Sequence, residues 1–305
     1  MRYAAIAFGL ILAGLGIVPA KATSIAASTI LQDFNTVIYN NLTTTSDIEG
    51  AAVVGGTFNG ATVYNNPRQT QPSGYSALTV YGTQTGSVNV NNSGGAYIAN
   101  QQGTVNLNGG HFYSAPPSSL SDFKTSLNSL SSQLAALSAT STLPTTDNNE
   151  VINATAGANG VAVFNITAAQ LSAIPSYVMN LNGATTVIFN VSGSSVTLNA
   201  NNESNTTYAS NIIWNFYQAT TVNLNTELSG TVLATQATVT TNTALDGGLF
   251  ANNFNGNGEL HSYGFTGTLP GGGGTTPTPE PASLALLGTG LSALGFLRRR
   301  RAKRG

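Results

Sequence analysis

The chain has 305 residues, enough for one large domain or two small ones, and its formal charge of −1 conceals a sharp segregation. Between Thr23 and Pro270 only Arg68 and Lys124 are basic against ten acids, so that stretch carries −8 and lacks the basic patch that nucleic acid needs. There is no cysteine, which excludes disulfides, thiolate nucleophiles and cysteine-ligated zinc.

At the N-terminus, Arg2 precedes an uncharged apolar run from Ala4 to Val18, and the small residues Ala20 and Ala22 flank Lys21. This order predicts a signal peptide over residues 1–22, cut after Ala22. The run is shorter than the roughly 20 residues of a comfortable span, which favours cleavage over a retained anchor.

Residues 23–270 then read as one folded domain, since Val, Leu and aromatics recur regularly among abundant Asn, Thr, Ser and Gly. Its front runs Ile-Leu-Gln-Asp-Phe-Asn from Ile30, then Ser46-Asp47-Ile48-Glu49-Gly50, then a stretch ending in Gly55-Gly56. Asp33, Phe34, Asn35, Ser46, Asp47, Glu49, Gly50, Gly55 and Gly56 resemble the opening of the choice-of-anchor A domain. Leu260 to Gly267 is similar to that family's closing strand. The resemblance implies an adhesive module with a β-helix like the ice-binding fold and its long flanking helix.

Asp47 and Glu49 are two residues apart and share a face if the segment is a strand. With Asp33 they could hold calcium, a cation that takes several oxygen ligands. A turn-capping role through local hydrogen bonds is the favoured reading.

Short alternating segments bounded by Asn or Gly follow. In the first part these are 61–64, 78–81, 87–91, 96–99 and 104–108; after a break come 161–166, 186–191, 195–199, 211–216, 221–225, 231–234 and 237–240. The sets starting at Val88, Val105, Val196 and Val222 share one apolar–polar pattern. A step of 17 residues separates the first two, and the same step separates Val222 from Val239. An all-β, irregular β-solenoid with stacked Asn ladders fits this spacing, with a β-sandwich as its rival.

Between the two sets, Leu120, Phe123, Leu127, Leu130, Leu134 and Leu137 fall on one helical face. Ser118 or Ser119 can cap the helix, and Pro144 lies beyond it, so an amphipathic helix is expected over about 118–139. Near-absence of charge beside the stripe favours docking on the solenoid over a coiled-coil dimer.

No catalytic constellation emerges, and the chain is expected not to be an enzyme. Nothing in the spacing of the acids selects a pair, no Gly-x-Ser-x-Gly elbow accompanies His111 and His261, and two isolated histidines make an inadequate zinc site. Both histidines are expected on the surface or in strand packing. Tyr208, Trp214, Phe216 and Tyr217 could stack on sugars, although Trp214 in an alternating strand reads as core. The sequons at Asn41 and Asn165 read as chance matches in an Asn/Thr-rich chain.

The C-terminal end is the most specific part. A Gly/Thr/Pro linker, residues 271–278, leads to Pro279-Glu280-Pro281, an uncharged run 282–297, and the block Arg298, Arg299, Arg300, Arg301, Ala302, Lys303, Arg304. An apolar segment followed by cations stops in a bilayer with the charges on the cytoplasmic side. Residues 279–304 resemble the PEP-CTERM sorting signal of Gram-negative bacteria. The resemblance implies recognition of Pro279-Glu280-Pro281 by an exosortase, transient membrane insertion through 282–297, and retention by the Arg block. The body would then pass to the cell surface or exopolysaccharide matrix, with polysaccharide or another surface as ligand. Ice binding is a second reading, resting on Thr238-Val239-Thr240, which looks isolated in the sequence; an exported glycan hydrolase is a third.

Overall fold

A computed structural model describes residues 24–144, 150–202 and 206–270. The expected signal peptide with Ala20 and Ala22, the linker, the Pro279-Glu280-Pro281 motif, the segment 282–297 and the Arg298–Arg301 block lie outside the described residues. Among the described residues no helix is long and apolar enough to cross a membrane.

Every strand pairing is parallel, and successive strands stack on equivalent strands of the next turn. The fold is therefore a β-helix. Coil 1 holds Thr36–Ile38, Leu42–Thr44 and Asp47–Ile48; coil 2 holds Ala52–Val54, Thr57–Asn59 and Thr62–Val63. Coil 3 holds Leu78–Gln84 and Ser87–Val90, and coil 4 holds Ala96–Gln101 and Thr104–Asn106. The helix α2, Leu120–Ala135, then carries the chain back along the stack; α1, Ala27–Asp33, precedes coil 1.

The second series begins with coil 5, represented by Glu150–Asn153. Coil 6 holds Val161–Thr167, the short helix α3 (Ala168–Ser172) and Ser176–Asn180; coil 7 holds Thr186–Ser192, Ser195–Leu198 and Asn201–Asn202. Coil 8 holds Ile212–Asn215, Thr221–Leu224 and Leu228–Ser229. Coil 9 holds Thr231–Thr241 and Leu245–Asp246, and coil 10 holds Leu249–Gly256 and Leu260–His261. Coil 10 closes on coil 1, with Thr36 opposite Leu249, Leu42 opposite Phe254 and Ile48 opposite Leu260. The spatial order is thus 5 to 10, then 1 to 4.

The repeat seen in the sequence is the rung spacing. Val88 lies opposite Val105, and Val196, Val222 and Val239 form one continuous row. Asn108 donates to Asn91, 17 residues earlier, at 2.6 Å, and Asn225 donates to Asn199, 26 earlier, at 2.7 Å. At corners Asn92, Asn108 and Asn182 adopt positive φ, a conformation Asn tolerates better than branched residues. Gly55 satisfies another close approach, since a Cβ there would collide with the Tyr39 carbonyl.

The stack has three sides. One is covered by α2, which runs from 120 to 135, slightly shorter than expected; Leu137 still packs against the core from beyond its end. Ser119 and Asp122 form the N-terminal capping box. Phe123, Leu127, Leu130 and Leu134 are buried, and Phe123 meets Phe34 edge-on at 5.3 Å. Beneath the far end of α2 runs a ladder of Asn165, Asn190 and Asn215. Each donates to a carbonyl of this segment: Asn215 to Ser131, Asn190 to Leu134, Asn165 to Leu137. The ladder thereby satisfies oxygens near the end of the helix, where intrahelical donors run out. Trp214 and Phe216 are core residues, each 1% exposed, and Trp214 stacks on Phe189 at 4.1 Å.

Candidate functional site

Among the described residues nothing covers the second side, and its outward residues follow from alternation. Val196, Val222, Val239, Phe254, Leu42 and Phe58 point into the core, so their neighbours point outward. Across eight coils these neighbours are Ser195, Thr221, Thr238, Asn253, Asn41, Thr57, Thr83 and Asn100. A parallel row two residues on comprises Thr197, Asn223, Thr240, Asn255, Thr43 and Asn59. Rungs are about 4.8 Å apart and the rows about 7 Å apart, giving a lattice roughly 34 Å long. Every member is Ser, Thr or Asn.

Hydrogen bonds along the rows fix these side chains. Thr240 donates to Asn223 Oδ1 at 2.7 Å, Asn253 to Thr238 Oγ1 at 3.4 Å, and Asn100 to Thr83 Oγ1 at 3.1 Å. The Thr238-Val239-Thr240 segment is therefore not isolated, as the sequence suggested; it is one rung of a continuous surface. The continuity escaped notice because the rungs lie 15 to 17 residues or more apart and mix Asn with Thr. Two of the expected strands, 231–234 and 237–240, are one strand whose register shifts between Ala234 and Thr238.

The third side gathers several of the acids. Asp47, Glu259 and Glu227 occupy one row, and Glu49, His261 and Asp246 occupy the next. Asn35, from the front motif, fastens this side: its Nδ2 donates to the carbonyls of Gly247 and His261, and its Oδ1 accepts from Gly50 N at 2.9 Å. Glu49 accepts from Asn66 Nδ2 at 2.7 Å and from Ser262 N at 2.8 Å, and Asp47 accepts from Asn65 at 2.7 Å. Both oxygens of Glu49 thus hold neighbouring coils together, and Asp33 does not join the grouping with Asp47 and Glu49 considered for calcium. Burial pushes the Asp33 carboxyl above its ordinary value, which disfavours the charged form a hard cation prefers.

His261, expected to be a surface or strand-packing residue, is half-buried on a strand, with its Nδ1 2.5 Å from Asp246 Oδ1 and its Nε2 3.4 Å from Glu259 Oε2. His111 is exposed and stacks on Tyr113. Sequence inspection missed the cluster because its members come from three coils.

A family model described as "Putative Ice-binding-like adhesive domain" matches residues 27–262, and one for the PEP-CTERM protein-sorting motif matches residues 277–301. No curated protein matches. Among solved structures, an ice binding protein from an Antarctic biological consortium is similar at 17% identity and a TM-score of 0.39, over 78% of this chain and 90% of that one. An ice-binding protein of Shewanella frigidimarina is similar at 15% identity and a TM-score of 0.38, over 81% and 100%. One from the Antarctic ascomycete Antarctomyces psychrotrophicus is similar at 14% and 0.30, over 79% and 100%.

Proposed function

Because the chain belongs to the ice-binding-like adhesive domain family and carries a PEP-CTERM sorting motif, we propose that it is an exported, non-enzymatic surface or matrix adhesin that holds neutral polysaccharide through its bare Ser/Thr/Asn side. The observation that carries this reading is the uncharged lattice of two rows, one spanning eight coils and the other six of them. Its hydroxyls and amides offer donors and acceptors to sugar hydroxyls, and an extended surface sums many weak contacts. None of the residues in the two rows is charged, so the binding side carries no fixed charge to be desolvated.

In this scheme an exosortase reads Pro279-Glu280-Pro281, residues 282–297 insert transiently, and Arg298 to Arg301 hold the tail on the cytoplasmic side. The test is retention of the exported protein on matrix polysaccharide, compared with a Thr57→Lys/Thr238→Lys variant. Loss of retention with unchanged thermal unfolding supports the reading; equal retention overturns it.

Ice binding is a second reading, favoured by the adjacency of Thr221 and Thr238 on neighbouring rungs with Thr240 alongside. Thermal hysteresis from the wild-type chain, abolished in the same variant, would transfer the function of this side from polysaccharide to ice.

A further inference from the structure

We propose that His261 is a pH-sensitive latch on the seam where the last coil closes on the first. This goes beyond the adhesive reading and does not depend on any ligand.

The seam joins residues more than 200 positions apart in sequence. On its acidic side the last strand, Leu260–His261, is held between Leu245–Asp246 of coil 9 and Asp47–Ile48 of coil 1. His261 is level with Asp246 on one side and with Glu49 on the other. Asp246 is 1% exposed and Glu49 5% exposed, so neither carboxylate is fully solvated. Charges so placed are stabilised by hydrogen bonds and by a nearby cation, and a protonated His261, 2.5 Å from Asp246, supplies the cation.

The charged groups facing the imidazole are Asp246 from coil 9, Glu259 from its own coil and Glu49 from coil 1. Asp47 of coil 1 is occupied by Asn65. Arg68, from the loop after coil 2, lies 3.9 Å from Glu49 and leans over the Tyr263 ring at 4.3 Å. Arg68 therefore serves Glu49, and His261 is the cation available to Asp246 and Glu259. Burial by itself would depress the imidazole, but the hydrogen bond and charge of Asp246, with Glu49 and Glu259 behind, outweigh it and raise the imidazole above 6.5.

The sign follows from linkage. A histidine raised on folding contributes stability that is complete below its unfolded value and disappears as pH rises through the folded one. The latch is therefore closed in acid and released as pH rises through the folded value. Deprotonation removes the positive charge 2.5 Å from the buried Asp246 carboxylate. The segments that loosen are 48–50 and 260–262, where Ser262 N meets Glu49 and the His261 carbonyl meets Asn35.

Two measurements on the chain purified from its producing cell decide this. Exchange of the histidine C2 proton, read by mass spectrometry, gives the His261 midpoint. It should lie above 6.5 in the wild type and fall in Asp246→Asn. Amide exchange in segments 48–50 and 260–262 should be slower in wild type than in His261→Gln at pH 6. That protection should reach about tenfold for each unit by which the folded value exceeds the unfolded one, and it should be lost as pH rises through the measured His261 midpoint. A wild-type His261 midpoint at or below 6.5 overturns the proposal even if Asp246→Asn fails to fold. A protection ratio independent of pH overturns it as well.

Discussion

Replacing Asn215 by alanine should destabilise the protein far more than replacing any asparagine of an exposed ladder. Asn215 is fully buried beneath α2. Its Nδ2 donates to the Ser131 carbonyl and to Asn190 Oδ1, both at 2.9 Å, and its Oδ1 accepts from the Ser131 hydroxyl at 2.7 Å. In Asn215→Ala the Ser131 hydroxyl can turn back to a carbonyl of its own helix. Asn190 Oδ1 loses a donor inside the core, and the Ser131 carbonyl loses its second partner. Stranding buried acceptors costs about 1–3 kcal/mol each, so the expected loss is about 3 kcal/mol. In a domain of this size that is a fall in Tm of roughly 6–12 °C. Urea denaturation followed by circular dichroism gives the free energy directly, with Asn225→Ala as the control. Asn225 is exposed and bonds to Asn199 in solvent, so its loss should stay within about 0.5 kcal/mol. Equal small losses in both variants would refute the view that the inner ladder docks the helix.

The remaining predictions concern the core, the front motif and processing. Phe123→Ala removes a buried ring that meets Phe34 and Tyr75 edge-on, and should cost about 3–5 kcal/mol in the same denaturation assay. Chelation with EDTA should leave the urea midpoint unchanged, because Glu49 is already bound by Asn66 and Ser262; a lowered midpoint would restore calcium to the front motif. Asn35→Ala should lower stability by several kcal/mol, since it removes the partner of Gly50 N and of the Gly247 carbonyl and one of two partners of the His261 carbonyl, which keeps Tyr263 N. Mass spectrometry of surface and matrix fractions should find a species beginning at Thr23 and ending near Pro279; an intact Gly305 end would contradict tail removal.

The features legible in the sequence were those with a local period. The leucine stripe of α2 repeats every three or four residues and needs no knowledge of the rest of the chain. The Val-x-Val and Val-x-Leu sets repeat at the coil length, so their spacing carried both the fold and the register of coils 3–4 and 7–9. Of the strands of coils 1 and 2 only Thr62–Val63 fell within an expected segment, 61–64; the others are two or three residues long, too short for alternation to show. In coil 10 the pair Asn252-Asn253 interrupts the apolar pattern of a long strand and conceals it. The closure of coil 10 on coil 1 has no local signature, because nothing near Thr36 specifies Leu249. The His261 cluster and the eight-rung polar side depend on that closure, and both were hidden with it.

The most direct test of the adhesive function is retention of the exported chain on matrix polysaccharide across a series of single lysine substitutions, Thr57→Lys, Thr221→Lys and Thr238→Lys on the bare side and Asn91→Lys on another. The lattice predicts that each of the first three weakens retention and that Asn91→Lys does not. Equal retention by all four, with folding intact, would show that the bare side is not the binding surface.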